Sequence, residues 1–186
     1  MIAHRLHTMR ANRNVMNPIE GFLGRGDRVL DLGAGTCHVC DALRKQGIDV
    51  TPVDVRNRSY FPQISPILYD GVRIPFPDGH FDVTLILTVL HHTRNQEEII
   101  REAMRVSRRL IIIEDVYVNF FDKYLTFLFD SIGNLEFRGH PHANRTEEEW
   151  CSLFGGLGLH VKEMKSQRAD LVFRQRLFLL EKTGWA

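Results

Sequence analysis

Apolar residues along the chain fall into two spacings. Short, nearly unbroken runs at Arg28–Leu32 (RVLDL), Val83–Leu87 (VTLIL) and Leu110–Ile113 (LIII) alternate too little for half-exposed strands. They predict strands buried on both faces. Ile48–Asp54 reads as a further strand, with Pro52 awkward in its interior. Helical spacing lies between and beyond these runs: Val39, Ala42 and Leu43, closed by Gly47, then Ile99, Ile100, Ala103 and Met104 within Thr93–Ser107. Asn119–Ile132 predicts an aromatic helix, and Thr146 to Glu149 a capping box opening a helix with Trp150, Leu153 and Phe154, broken by Gly155, Gly156 and Gly158. Ile2–Phe22 reads as one or two short helices, with Asn17 as N-cap and Pro18 at the first helical position. Arg56–Leu68, with Pro62 and Pro66, is irregular and leaves room for a short crossing segment. Leu159–Met164 and Leu171–Leu180 predict a closing antiparallel pair. The pattern is α/β.

The connection after the first strand carries the first chemistry. Asp31-Leu32-Gly33-Ala34-Gly35 joins strand to helix by a glycine turn, whose backbone N–H groups can come close to a ligand. A lone G-x-G is a weak signal. His38 stands where a dinucleotide fingerprint needs its third glycine, which argues against tight pyrophosphate binding and for an adenosyl group without phosphate. Asp54 ends the second strand about 20 residues later, where a carboxylate can accept both hydroxyls of a ribose.

The 186 residues are 44% hydrophobic, enough for one domain spanning residues 1–186. A formal net charge of +1 gives no global field toward nucleic acid or an acidic membrane. Nucleic acid is therefore not an expected partner. The Arg101, Arg105, Arg108 and Arg109 stripe reads as a solvated helix face. No run of about 18 uncharged apolar residues exists to span a bilayer. Three irregularly spaced cysteines argue against a disulfide framework and for a reducing, cytoplasmic setting. Cys37 and Cys40 lie near a helix start as small buried residues; a structural zinc would need four ligands, and only Cys151 remains elsewhere.

Tyr69–Asp82 (YDGVRIPFPDGHFD) resembles the D-A-E-x-L-P-F-x-D-x-x-F-D stretch of class I S-adenosylmethionine-dependent methyltransferases of the type 11, UbiE-like branch. Asp70 matches the leading Asp, Ile74-Pro75-Phe76 the L-P-F and Phe81-Asp82 the F-D. VLDLGAGT precedes it and Asp54 lies between, so three motifs fall in order over roughly 28–113. Cys37 departs from the family's G-x-G-x-G. The resemblance implies a Rossmann-like seven-stranded sheet, mostly parallel with an antiparallel C-terminal strand and helices on both faces. It implies S-adenosyl-L-methionine as cofactor, with Asp70 on the adenine amino group and the Gly71 backbone at the ring edge. The cofactor set is then Asp31, Gly33, Ala34, Gly35, Asp54, Val55, Asp70, Gly71, Leu87 and Thr88.

The expected activity is methyl transfer to a small-molecule acceptor, an oxygen nucleophile by preference. A cofactor-holding scaffold without turnover and a nicotinamide-dependent oxidoreductase stay open as alternatives. Residues 1–24 would form a helical cover and 115–158 a helical insertion over the acceptor. His91 and His92 end the strand at Leu87, and the loop after the aromatic helix offers His140, His142, Asn144 and Arg145. An acceptor hydroxyl needs a base near neutral pH, and His92 and His142 are the candidates.

Overall fold

The buried runs assemble into one sheet in the computed structural model, which describes residues 11–19, 21–117, 144–169 and 173–182. Its strands are β1 (Arg28–Leu32), β2 (Asp49–Asp54), β3 (Ile67–Leu68), β4 (Phe81–Leu87), β5 (Ser107–Val116), β6 (Leu159–Ala169) and β7 (Phe173–Lys182). They lie in the order β3-β2-β1-β4-β5-β7-β6. The pairs from β3 through β5 are parallel, and β7 runs antiparallel to both β5 and β6.

Alternation of side chains puts the two halves of each apolar run on opposite faces. On one face, Leu30, Leu32 and Leu110 pack with α2 (Gln96–Val106) and α3 (Glu147–Gly156) through Ile100, Ala103, Trp150 and Phe154. On the other, Val29, Val83 and Ile111 meet Cys40 and Leu43 of α1 (His38–Lys45), with Met16 and Ile19 of the N-terminal segment. The helices cover both faces, as the continuous apolar strands require. Thr146 caps α3 by accepting the Glu149 N–H, and Glu149 reaches back to the Thr146 N–H.

Four local expectations change. The crossing segment contains β3, two exposed residues pairing with Val53 and Asp54. Beside Pro52, β2 therefore has no ladder bond to β3 to lose. The strand containing Leu110–Ile113 begins at Ser107, where α2 ends. α3 runs through Gly155 and Gly156; only Gly158, at φ +72°, turns the chain out. Asn17 and Pro18 do not begin a helix. They follow a wide π turn, Asn12–Met16, and lie in the last turn of one helical stretch. Proline has no N–H for the carbonyl four residues back. That carbonyl, on Asn14, instead accepts from Gln167 Nε2 of β6 at 2.8 Å. The aromatic helix, His140 and His142 lie outside the described residues. Among the described residues no helix is long and apolar enough to cross a membrane.

Candidate functional site

The strand order reverses between β1 and β4, so the loops leaving them diverge and open a crevice at their C-terminal ends. Gly33 follows β1 at φ +80°, and a β-carbon there would stand 2.5 Å from Val89 Cγ2 on the β4 exit loop. Both the backbone and the close approach demand glycine. The Gly33 and Ala34 N–H groups donate to the Val53 carbonyl at 2.8 and 3.1 Å, tying the turn to β2. Gly35, at φ +50°, has only the Gly33 carbonyl near its missing β-carbon, at 3.9 Å.

Asp54 ends β2 half-buried. Its Oδ2 accepts the Gly35 N–H at 2.8 Å and its Oδ1 the Arg56 N–H at 3.0 Å. A carboxylate offers about four acceptor positions, so both oxygens retain capacity for a further donor. The next loop brings Asp70 to the same edge, where its Oδ1 accepts the Val72 and Arg73 N–H groups at 2.8 and 2.9 Å. Those bonds hold this exposed carboxyl below the usual aspartate range. Gly71, at φ +80°, would place a β-carbon 3.5 Å from Val55 Cγ1. Val55 and Val72 are 53% and 60% exposed, apolar surface left bare beside two carboxylates. The segment that carries Asp70 is pinned from α2. Arg105 donates to the Ile74 and Phe76 carbonyls at 2.9 Å, and Glu102 accepts the Ile74 N–H at 3.1 Å. Arg105 also pairs with Glu102 and Asp78, and Arg109 pairs with Asp27. Two arginines of the basic stripe thus hold loops in place.

β4 ends in half-buried Leu87, and Thr88 follows at φ +56°. A β-branched residue in this region costs on the order of 1–3 kcal/mol and persists only when its surroundings fix it. Here the Thr88 N–H donates to the Ile113 carbonyl at 2.7 Å, and its hydroxyl to the Leu87 carbonyl at 2.7 Å. Cys37, at φ +60°, is the other non-glycine residue with positive φ among those described. Strain is concentrated at the crevice.

Asp31 behaves differently from the other two aspartates. It is 2% exposed and turned inward, accepting the Cys40 thiol at 3.0 Å. Burial pushes its pKa up to about 6; the Cys40 bond opposes this and the Asp54 charge adds to it. Its carboxyl is thus engaged with α1 rather than presented at the crevice.

Beyond Thr88 the chain makes a 3-10 turn, Leu90–His92. Glu114 of β5 holds it: Oε1 accepts the Val89 and Leu90 N–H groups at 2.8 and 2.7 Å, and Oε2 meets His91 Nδ1 at 2.6 Å. Gln96 donates to the Leu90 carbonyl at 3.0 Å and accepts from Arg145 Nε at 2.8 Å, with the Arg145 guanidinium over Trp150. His92 is half-buried, its ring 3.9 Å from that of His91.

This arrangement has relatives. Residues 30–110 match the type 11 family model described as a methyltransferase domain. Over those residues the chain is similar to that domain. A demethylmenaquinone methyltransferase from Beutenbergia cavernae is 33% identical over 98 residues, 48% of this chain and 41% of that protein. The chain thus spans less than half the length of this curated relative. The fold recurs in two solved structures. Magnesium protoporphyrin IX methyltransferase from Synechocystis, with bound SAH, has TM-score 0.68 and 18% identity, covering 95% of this chain and 84% of that one. The Burkholderia thailandensis 1,6-didemethyltoxoflavin-N1-methyltransferase has TM-score 0.70 and 17% identity, covering 93% and 78%.

Within the matched region, Gly33, Ala34, Gly35, Asp54, Val55, Asp70, Gly71, Leu87 and Thr88 come to one sheet edge, with Asp31 buried behind it. His92 stands on the adjoining turn, and Arg145 is engaged by Gln96 and Trp150 rather than presented as a loop side chain. In the sequence Glu114 simply follows the LIII run, with no motif to mark it. Its pairing with His91 joins positions 23 residues apart, which no local spacing encodes.

Proposed function

We propose that this domain binds S-adenosyl-L-methionine and transfers its methyl group to a small, partly apolar acceptor. One observation carries the reading: the Gly33–Gly35 turn, the spare acceptor capacity of Asp54, and Asp70-Gly71 beside exposed Val55 and Val72 share one crevice. The residues fit an adenosyl ligand. Asp54 would take the ribose hydroxyls, Asp70 the adenine amino group, and Val55 with Val72 the faces of the base. When bound, the cofactor supplies a methyl group on a sulfonium, already activated for in-line displacement. The protein's work is then to orient donor and acceptor and exclude water. The β4 exit turn, fixed by Glu114, would set the floor beneath the reacting atoms.

An oxygen acceptor is the favoured class, with His92 as the proton acceptor and His142 as the second candidate. The small-molecule names of the relatives support the acceptor's size, and the half-buried position of His92 beside Thr88 supports its place. Calorimetry with S-adenosylhomocysteine and with NAD tests the cofactor. Saturable binding of the first and none of the second is expected, and preference for NAD or binding of neither overturns the reading. For the base, His92→Ala should lower turnover at saturating cofactor by about 10²–10⁴-fold. A loss below about tenfold removes His92 from that role.

A further inference from the structure

The cysteine pair behind the glycine turn has no part in the activity above. Cys37 is the N-cap of α1 and Cys40 lies in its first turn, so the thiols sit three residues apart at a helix N-terminus. The Cys40 thiol beside Cys37 lowers the Cys37 pKa, and its own is raised by that contact and by burial. The positive end of the helix also favours a thiolate at Cys37. Behind Cys40, at 3.0 Å, stands the buried carboxylate of Asp31. A nucleophilic thiol, a resolving thiol and a buried proton acceptor are the parts of a dithiol exchange site.

We propose that Cys37 and Cys40 form a redox-active dithiol that closes to an intramolecular disulfide and weakens cofactor binding at the adjoining turn. The oxidant is a small disulfide of the glutathione class. Cys37 thiolate attacks one of its sulfurs, forming a mixed disulfide and releasing the first thiol. Asp31 takes the proton of Cys40, whose sulfur attacks Cys37 Sγ and expels the second thiol. Two protein thiols are oxidised, one small disulfide is reduced to two thiols, and the two protons end on those leaving groups.

The connection to the turn is short. The Cys37 N–H donates to the Ala34 carbonyl at 2.8 Å, and the Cys37 carbonyl accepts from Asp41 in α1. Drawing Cys37 toward Cys40 shifts the backbone that shapes Gly33–Gly35 and removes the thiol donor from Asp31. Both cysteines are fully buried, so reaction requires the turn to open, and bound ligand should slow it. Partly exposed Cys151 reacts without that opening.

The effect on the cofactor rests on the proposed activity; the disulfide does not. The test uses the full chain carrying Cys151→Ser, equilibrated in glutathione buffers from reducing to oxidising. Peptide mass spectrometry reads the disulfide and calorimetry reads S-adenosylhomocysteine affinity. The expected result is a Cys37–Cys40 disulfide, formed more slowly with S-adenosylhomocysteine present, and an affinity at least tenfold lower than in the reduced form. Cys37→Gly, which suits the positive φ, should bind equally in both buffers. Absence of the disulfide in oxidising buffer overturns the proposal, as does unchanged affinity once it has formed. Reduced protein that binds no S-adenosylhomocysteine breaks the activity and its redox coupling together, while the mass measurement still decides the dithiol.

Discussion

Two strand ends of this sheet use the same device to different effect. Asp54 at the end of β2 and Glu114 near the end of β5 each gather backbone N–H groups from the turn beside them. Asp54 takes two, one on each oxygen, and stays half-buried with acceptor capacity facing the crevice. Glu114 takes two on one oxygen and His91 on the other, and is 0% exposed. The lesson concerns saturation. A strand-end carboxylate with bonds to spare at an open edge is equipped for a ligand, and one whose oxygens are filled in the interior is part of the frame. Asp31 stands between them, buried like Glu114 but bonded to a weak thiol donor.

The comparison breaks most visibly at Glu114. Glu114→Ala takes the acceptor from the Val89 and Leu90 N–H groups and the carboxylate from His91 Nδ1 in the interior, a loss expected at about 3–5 kcal/mol. Denaturant unfolding should show it as a lower midpoint, and a change under about 1 kcal/mol would mean that the turn is held by something else.

Asp31 sharpens the middle case through pH. Its folded pKa lies near 6, above the ordinary 3.8, so the folded state binds this proton more tightly than the unfolded chain. The associated stability is full below about pH 4 and is lost as pH rises through about 6. Asp31→Asn mimics the protonated form without titrating. Its stability relative to the parent should rise by up to about 3 kcal/mol between roughly pH 4 and 7.5. A difference that stays flat across that range would place Asp31 in a wetter site than its burial indicates.

At Asp54 the smallest effect is expected, and on a different axis. Asp54→Ala should weaken S-adenosylhomocysteine by about 1.5–3 kcal/mol, the scale of a hydrogen bond to a charged group. Its two remaining N–H partners lie near solvent, so unfolding should move less than for Glu114→Ala. Calorimetric affinity equal to the parent's would remove the ribose role and, with it, the contrast.

Much of this was legible in the chain before any coordinates. RVLDL, VTLIL and LIII are long and apolar enough that their burial on both faces follows from composition. The ordered motifs placed the glycine turn, Asp54 and Asp70 on one edge. What escaped depends on distant partners. β3 is two exposed residues whose strand character exists only because β2 lies beside them. The positive φ of Thr88 is imposed by the Ile113 carbonyl, not by a residue that prefers it. The Asn17-Pro18 pair misled because the usual reason for proline near a helix start, a dispensable N–H, applies equally wherever another group takes the orphaned carbonyl.

That orphaned carbonyl has a consequence for the order in which the molecule is made. Asn14 and its partner Gln167 are 153 residues apart. Gln167 Nε2 also donates to Gln175 Oε1 and Gln175 Nε2 to Asp115 Oδ1, each a hydrogen bond of 2.8 Å, and Met16 and Ile19 share their hydrophobic cluster with Leu177 and Leu179 of β7. During synthesis at roughly 5–20 residues per second, the early segment waits on the order of ten seconds for the strands that receive it. β7, which emerges after β6, must also enter between β5 and the already synthesised β6. The helical stretch over residues 11–19 thus docks only after β6 and β7 have been made, and a ribosome-bound chain lacking that hairpin leaves the stretch without its seat.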